Sequence, residues 1–302
     1  MASSESKKLR ASFVKAPAAV DTPVEVQRQD WEAAVEATNV ALDATITAVQ
    51  INGLPGEWVS AGSTTDAGAV LFLHGGGYNA GSCKTHRAMA ARLAEATHLP
   101  VLLVDYRLAP EHPFPAAVED AVAAYQWVLQ QGFAAQQIVM GGDSAGGGLV
   151  GAALVKLRDD GIALPAAAFL ISPWVDLALS GPSMQTHTHL DPLTTHAALR
   201  KAAQYYVGQR DPQHPLASPL YAELHGLPPL LIQVGGHELL LSDAIRLAEK
   251  ARAAGVEIQL EVWDEMWHVW HGWAAELPEA REAIGHIGEF VRRQLASHGQ
   301  AT

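Results

Sequence analysis

The sequence predicts an α/β fold in which a mostly parallel central sheet is flanked by helices. Short apolar runs rich in β-forming residues alternate with longer amphipathic stretches along most of the chain. Glycine-rich turns follow two of these runs, as expected where a strand passes into a crossover helix. No apolar run approaches the roughly 18 residues that a membrane-spanning helix requires.

The apolar runs and the amphipathic stretches define the elements in chain order. Strands are predicted at 45–51, 69–74, 99–106, 137–142, 167–172, 229–235 and 257–263. Helices are predicted near 86–97, 116–131, 144–158, 242–254 and 278–295. Because strand and helix alternate, most neighbouring strands should be parallel.

Two stretches do not fit this alternation. Residues 1–42 contain helix-like segments before the first strand, and 183–222 are rich in His, Pro, Thr and Tyr where a short crossover would suffice. We therefore predict a helical cap, with 1–42 as its N-terminal part and 183–222 as an insertion. The core would comprise 43–182 and 223–302. Surface decoration would give the same composition.

Composition narrows the classes of function. The chain has 302 residues and a formal net charge of -12, which disfavours nucleic acids and anionic membrane surfaces as partners. Its single cysteine, Cys83, rules out an intramolecular disulfide framework and a Cys-based zinc cluster. The N-terminus has no apolar segment like that of a signal peptide. We expect a cytoplasmic protein without stable membrane insertion.

A serine lies in the turn between a predicted strand and a predicted helix. Gly142-Asp143-Ser144-Ala145-Gly146 matches G-x-S-x-G, in the context that a nucleophilic serine requires. Glycines leave space for a sharp turn that exposes one hydroxyl at the carboxyl end of the sheet. The alternative is an ordinary glycine-rich turn with an N-cap serine.

A triple glycine follows the strand at 69–74. A tetrahedral intermediate needs backbone N–H donors for its oxyanion, and successive glycines can turn their amides inward without side-chain clash. The sequence predicts such donors at Gly75, Gly76 and Gly77, with Ala145 as the donor beside the nucleophile.

The same glycines also fit a dinucleotide-binding pattern. Residues 75–80 match G-x-G-x-x-A, and the next strand ends near Asp105. That carboxylate lies farther along the chain than the pattern prefers, and an oxidoreductase would leave the serine turn unexplained.

The base and the acid should follow later strands, in the order Ser, acid, His. His268 and His271 come just after the last strand, and His268 is preferred because it comes sooner. Their H-x-x-H spacing also resembles a zinc half-site, but no third ligand accompanies it. Glu238 lies in the loop after 229–235 and is the preferred acid, with Asp243 at the following helix start as the alternative.

Several motifs together resemble the hormone-sensitive-lipase family of esterases, the bacterial family IV group. They read HGGGY, DYRLAPEHPFPAAVED, GGDSAGGG, SPWVDL and WHVWHGW, in this order from about Leu71 to the C-terminus. The resemblance implies an α/β-hydrolase fold with a central sheet of about eight strands, a helical cap and no cofactor. It also implies Ser144 as nucleophile and His268 as base. Where the family usually has G-x-D-P-L, this chain has Glu238, so the acid is one methylene longer.

This resemblance implies a serine carboxylesterase that acts on short- to medium-chain acyl esters through an acyl-enzyme. A lactonase or an amidase or deacylase would use the same groups, whereas a non-catalytic receptor of this family lacks the histidine. Tyr78, Asp143 and Trp174 are candidate substrate-binding residues, although tryptophans near a sheet edge are equally typical of a core. The small-molecule ester is the expected partner, and the last strand offers an edge for a homodimer.

Overall fold

One eight-stranded sheet, in the order β1-β2-β4-β3-β5-β6-β7-β8, organises the molecule. The computed structural model describes residues 2–13, 22–37, 43–62, 64–65 and 67–299. The strands are β1 (Ala44–Ile51), β2 (Leu54–Ala61), β3 (Ala69–Leu73), β4 (Val101–Val104), β5 (Ile138–Asp143), β6 (Ala167–Ile171), β7 (Leu230–Gly235) and β8 (Ile258–Trp263). All neighbours from β4 to β8 are parallel, which confirms the predicted mostly parallel sheet.

The strand that sequence patterning missed is β2. It pairs antiparallel with β1 and with β4. Pro55 and Gly56 argue against a strand, yet Pro55 lies near its start, where a missing N–H is tolerated. The two residues between β1 and β2 are Asn52 and Gly53, with φ of 51° and 92°. An Asn-Gly pair is the typical turn of a two-residue hairpin, so this signal was present in the sequence.

Helices cover both faces of the sheet. They are α1 (Ser4–Ser12), α2 (Val24–Ala37), α3 (Cys83–Thr97), α4 (Ala116–Gln130), α5 (Ala145–Asp159), α6 (Ser183–Thr186), α7 (His196–Val207), α8 (Leu241–Ala253) and α9 (Pro278–Gly299). Successive side chains of a strand point to opposite faces. Leu71 and Leu73 accordingly join the apolar cluster under α4, α5 and α8, whereas Val70 and Phe72 join the cluster under α3 and α9.

The carboxyl ends of the parallel strands meet at one edge. Leu73 of β3 is in register with Gly142 of β5, and Gly235 of β7 is in register with Trp263 of β8. The loops that leave these strands contain the glycines 75–77, Ser144, Glu238 and His268. The parallel topology therefore brings distant parts of the chain to the same edge.

The segments assigned to the cap contain α1, α2, α6 and α7, while the division into core and cap itself stays a prediction. Within 1–42, residues 1, 14–21 and 38–42 lie outside the described residues. In the part of the chain that the structure describes, no helix has the length and apolarity to cross a membrane.

Candidate active site

Ser144 occupies a strained turn between β5 and α5. Its φ is 53° and its ψ is -120°, a combination that residues other than glycine rarely adopt. Neighbouring backbone holds it there, because the Ser144 N–H donates to the Ile171 carbonyl at 2.8 Å and its own carbonyl accepts from the Trp174 N–H at 2.9 Å. The predicted sharp turn is thus present.

The glycines that flank Ser144 are required because neighbouring backbone atoms lie very close to them. A Cβ added at Gly146 would collide with the Leu73 carbonyl oxygen, and one added at Gly142 would lie 2.8 Å from the same oxygen. Only residues without a side chain let α5 begin directly against the end of β3.

Ser144, His268 and Glu238 form a hydrogen-bonded chain. The Ser144 Oγ lies 2.9 Å from His268 Nε2, and His268 Nδ1 lies 2.8 Å from Glu238 Oε2. An ionised carboxylate only accepts hydrogen bonds, so the ring proton belongs on Nδ1. Nε2 is then free to accept from the serine hydroxyl, as a general base must.

The Glu238 carboxylate is fully buried and held on its other oxygen. Its Oε1 accepts from the Ser172 hydroxyl at 2.8 Å and from the Gly235 N–H at 2.5 Å. Ser172 also accepts from the Val269 N–H at 3.1 Å, which ties the acid to the loop of His268. Sequence reasoning missed Ser172, although its place at the end of β6 was a signal.

The environment of His268 favours its protonated form. Burial by itself lowers the pKa of His268, but the hydrogen bond and charge of Glu238 outweigh it, aided by the charges of Asp191 and Asp143. The net effect raises the pKa of His268 above its ordinary value. The imidazolium that forms during proton transfer is thereby stabilised.

The alternative acid, Asp243, and the alternative base, His271, have other hydrogen-bond partners. Asp243 Oδ2 accepts from the backbone N–H groups of Val175 and Asp176, at 3.1 and 3.0 Å, and burial together with the Asp176 charge raises its pKa to about 8. His271 Nε2 contacts Gln233 Oε1 at 2.8 Å, and burial lowers the pKa of His271 to about 3. Both residues therefore serve the packing around the loops.

The described residues fit neither the zinc half-site nor the dinucleotide-binding pattern that the sequence also offered. His268 and His271 contact different partners, so the H-x-x-H pair does not converge on a metal, and no cluster of metal-ligating side chains occurs in the described ranges. Asp105 Oδ1 accepts from the Cys83 N–H at 2.6 Å at the start of α3, so the carboxylate required by the dinucleotide pattern is already engaged.

Two amides of the glycine loop belong to residues that line the cavity of Ser144. Gly76 and Gly77 have φ of 116° and 63°, and they line the same cavity as Ser144. Neither amide makes a hydrogen bond to another described residue. Ala145 begins α5, so its N–H has no partner within the helix. These three N–H groups match the donor set of an oxyanion hole.

Gly75 must be removed from the predicted donors. Its N–H donates to Asp143 Oδ1 at 2.9 Å, so this donor is already engaged within the protein. Asp143 is buried, and His86 Nε2 lies 3.3 Å from the same oxygen. Although burial raises the pKa of Asp143, His86 and the Gly75 N–H outweigh it, and the net pKa is lowered. Asp143 borders the cavity but is committed to holding the glycine loop.

The expectation that Tyr78 and Trp174 bind substrate is corrected. They are only 1% and 0% exposed, and neither borders the cavity that contains Ser144. The Tyr78 ring stacks on Tyr206 at 3.8 Å, and Trp174 Nε1 donates to the Asp176 carbonyl at 3.1 Å. Both aromatic residues belong to the core behind the glycine loop.

A cavity of about 850 Å³ opens over Ser144 and His268. Its walls come from α2, α3, α7 and the segment after His268. The lining residues include Gln27, Trp31, Val35, His86, Met89, Leu193, Thr194, Ala198, Leu199, Lys201, Ala202, Tyr205, Trp273 and Glu276. Most of this surface is apolar, as is typical of small-molecule sites.

Comparison with known proteins shows the family to which the chain belongs. The profile of the alpha/beta hydrolase fold family matches residues 70–272. An acetyl-hydrolase of Streptomyces hygroscopicus is 48% identical over 244 residues, which are 81% of either chain. An esterase from the bacterial hormone-sensitive lipase family is 47% identical, with a TM-score of 0.90 over 98% of this chain and 100% of that one. Esterase EstE5, soaked with p-nitrophenyl butyrate, has 46% identity and a TM-score of 0.92 over the same shares.

Proposed function

Because the chain belongs to the alpha/beta hydrolase family and is a carboxylic ester hydrolase of the bacterial hormone-sensitive lipase kind, we propose that it cleaves short- to medium-chain acyl esters through an acyl-enzyme on Ser144. The observation that carries the proposal is the chain of hydrogen bonds from Ser144 through His268 to Glu238, at 2.9 and 2.8 Å.

In the first half-reaction, Ser144 Oγ attacks the ester carbonyl carbon while its proton moves to His268 Nε2. The carbonyl oxygen becomes an oxyanion that accepts hydrogen bonds from the N–H groups of Gly76, Gly77 and Ala145. One such donor typically lowers the barrier by about 3 kcal/mol. The bond to the leaving oxygen then breaks, and His268 protonates the departing alcohol.

In the second half-reaction, water takes the place of the alcohol. His268 accepts a proton from the water as it attacks the acyl carbon, and the same three N–H groups receive the oxyanion. The bond to Ser144 Oγ breaks, the proton returns to the serine, and the carboxylic acid leaves. Glu238 keeps the imidazole in the required tautomer throughout.

The relatives favour short acyl groups, since one is named for acetyl groups and another was soaked with a butyrate ester. The cavity of about 850 Å³ receives apolar side chains from α2 and α7, and such walls suit the acyl chain of an ester. His268 in place beside Ser144 favours catalysis over a receptor role.

The test is hydrolysis of p-nitrophenyl esters from acetate to palmitate, with Ser144→Ala beside the wild type. We expect activity to peak on short chains and to fall about 10⁴-fold or more in the variant. Ser297→Ala, at an exposed serine in α9, is the matched control and should retain wild-type activity. Equal activity in the Ser144→Ala variant would contradict the mechanism, and a maximum at palmitate would contradict the substrate class.

A further inference from the structure

A buried carboxylate beside the site is not used by the proposed mechanism. Asp191 lies between α6 and α7 and is 1% exposed. Its Oδ2 accepts from the Leu239 N–H at 3.0 Å, and its Oδ1 accepts from the N–H groups of Leu193 and Thr194 at 3.0 and 2.8 Å. It forms no ion pair with another described residue. Three backbone donors around one carboxylate are the arrangement expected for its ionised form.

These hydrogen bonds join two parts of the site. Leu239 directly follows Glu238, so the bond to Asp191 holds the backbone beside the acid. Leu193 and Thr194 line the cavity that contains Ser144. One carboxylate therefore connects the cavity wall to the loop of the acid.

The segment around Asp191 is also held from the opposite side. The Arg10 guanidinium of α1 donates to the Leu190 carbonyl and, at 3.4 Å, to the Glu265 carbonyl in the loop before His268. The segment after α6 is thus fixed both to the acid loop and to the loop of the base. A displacement of Asp191 would therefore also displace the loops of Glu238 and His268.

We propose that Asp191 is a positioning residue, which sets the placement of Glu238 and the adjoining cavity wall and adds negative charge near His268. This inference rests on the proposed function, since it concerns the same reaction. Asp191 touches neither the reacting atoms nor His268 and acts through Leu239, Leu193 and Thr194.

Several titratable groups contact His268 or border its cavity, and the effect of Asp191 on the pKa of His268 must be separated from theirs. Glu238 contacts the ring from the loop after β7, and Asp143 lies at the end of β5. His86 of α3, Lys201 of α7 and Glu276 border the same cavity. The negative charges of Glu238, Asp191 and Asp143 each raise the pKa of His268 against the effect of burial.

The test compares Asp191→Asn with the wild type. Asparagine has nearly the same size, but its amide nitrogen cannot accept the N–H bonds that one carboxylate oxygen accepts, and the charge is lost. We expect kcat/KM to fall about 10-fold or more, with a fall in kcat, because small displacements of catalytic groups are costly. We also expect the acidic limb of the kcat/KM profile to move to lower pH, since the lost charge favoured protonated His268.

Asp243→Asn is the control for the loss of a buried carboxyl group that accepts backbone N–H bonds. Asp243 is fully buried and accepts from Val175 and Asp176, but it does not contact His268 or its loop. Because its pKa is raised to about 8, its substitution removes little charge over the acidic limb. We expect the acidic limb of the kcat/KM profile of Asp243→Asn to coincide with that of the wild type. Thermal melting of both variants measures any general loss of stability.

The outcomes separate cleanly. A folded Asp191→Asn variant with wild-type kcat/KM and an unmoved acidic limb overturns the proposal. An equal loss of activity in Asp191→Asn and Asp243→Asn, with the acidic limb of the kcat/KM profile unmoved, also overturns the proposal, because it indicates only a structural effect. Asp191→Ser carries the same expectations if the asparagine variant does not fold. Failure of the proposed function is recognised separately, since Ser144→Ala would then match the wild type.

Discussion

Glu238 Oε2 lies 2.8 Å from His268 Nδ1, while the other oxygen of the same carboxylate accepts from Ser172 and Gly235. The acid therefore orients the imidazole from a position that is itself fixed by two donors. A glutamate here has one methylene more than the aspartate of the family pattern, and the donors on Oε1 hold the longer side chain in place.

Glu238→Gln should lower kcat by about 10³- to 10⁴-fold, because a neutral amide can donate to Nδ1 and stabilise the wrong tautomer. Glu238→Asp keeps the charge but shortens the reach to His268, so it should retain more activity than the amide variant. Steady-state kinetics on p-nitrophenyl butyrate measures both. Equal activities for the amide variant and the wild type would exclude Glu238 as the acid.

The pH profile follows from the raised pKa of His268. His268 must be neutral to accept the serine proton, so kcat/KM should rise with pH as the imidazole of the free enzyme loses its proton. The midpoint of this acidic limb should lie above the ordinary histidine value of 6.5. In Glu238→Gln the limb should move to lower pH, because burial then acts without the opposing charge. A wild-type limb below the ordinary value would contradict this account.

Gly76→Ala should lower kcat by about 10²- to 10³-fold, as expected when the N–H donor for the oxyanion is displaced. Its φ of 116° is strained for alanine, and the added Cβ would collide with the Ala80 carbonyl. Gly132→Ala is the matched control, since Gly132 has a φ of 101° and no atom within 4 Å of an added Cβ. The control should lose some thermal stability at unchanged kcat, and comparable losses of kcat in both variants would argue against a donor at Gly76.

The homodimer through the last strand stays a prediction that the sheet makes testable. β8 ends the sheet order, and Val262 on it is 49% exposed. A charge at such an edge opposes pairing between strands. We expect Val262→Lys to convert a dimer into a monomer in light scattering coupled to gel filtration, with kcat retained. A monomeric wild type would refute the prediction.

Residues at strand ends could be predicted from the sequence because strand order and motif spacing restrict them. The turn at Ser144, the preference for His268 over His271 and the loop position of Glu238 all depend on which strand each follows. The structure brings these residues together at one edge of the sheet.

Other features depend on three-dimensional contacts that no spacing reveals. Ser172, with a φ of 45°, donates its hydroxyl to Glu238, and Asp191 accepts from Leu239 across a long separation in the chain. The commitment of the Gly75 amide to Asp143, and the burial of Tyr78, likewise follow from packing. Residue type alone could not distinguish these supporting roles from direct contact with substrate.

The most direct test of the central claim is intact-mass analysis of enzyme quenched with acid during turnover of p-nitrophenyl butyrate, followed by peptide mapping. We predict one butyryl group, located on Ser144 and absent from Ser144→Ala, because the acid quench protonates His268 and stops deacylation of the acyl-enzyme formed before it. Turnover at the wild-type rate in Ser144→Ala, or a butyryl group carried by a different residue, would contradict the acyl-enzyme mechanism.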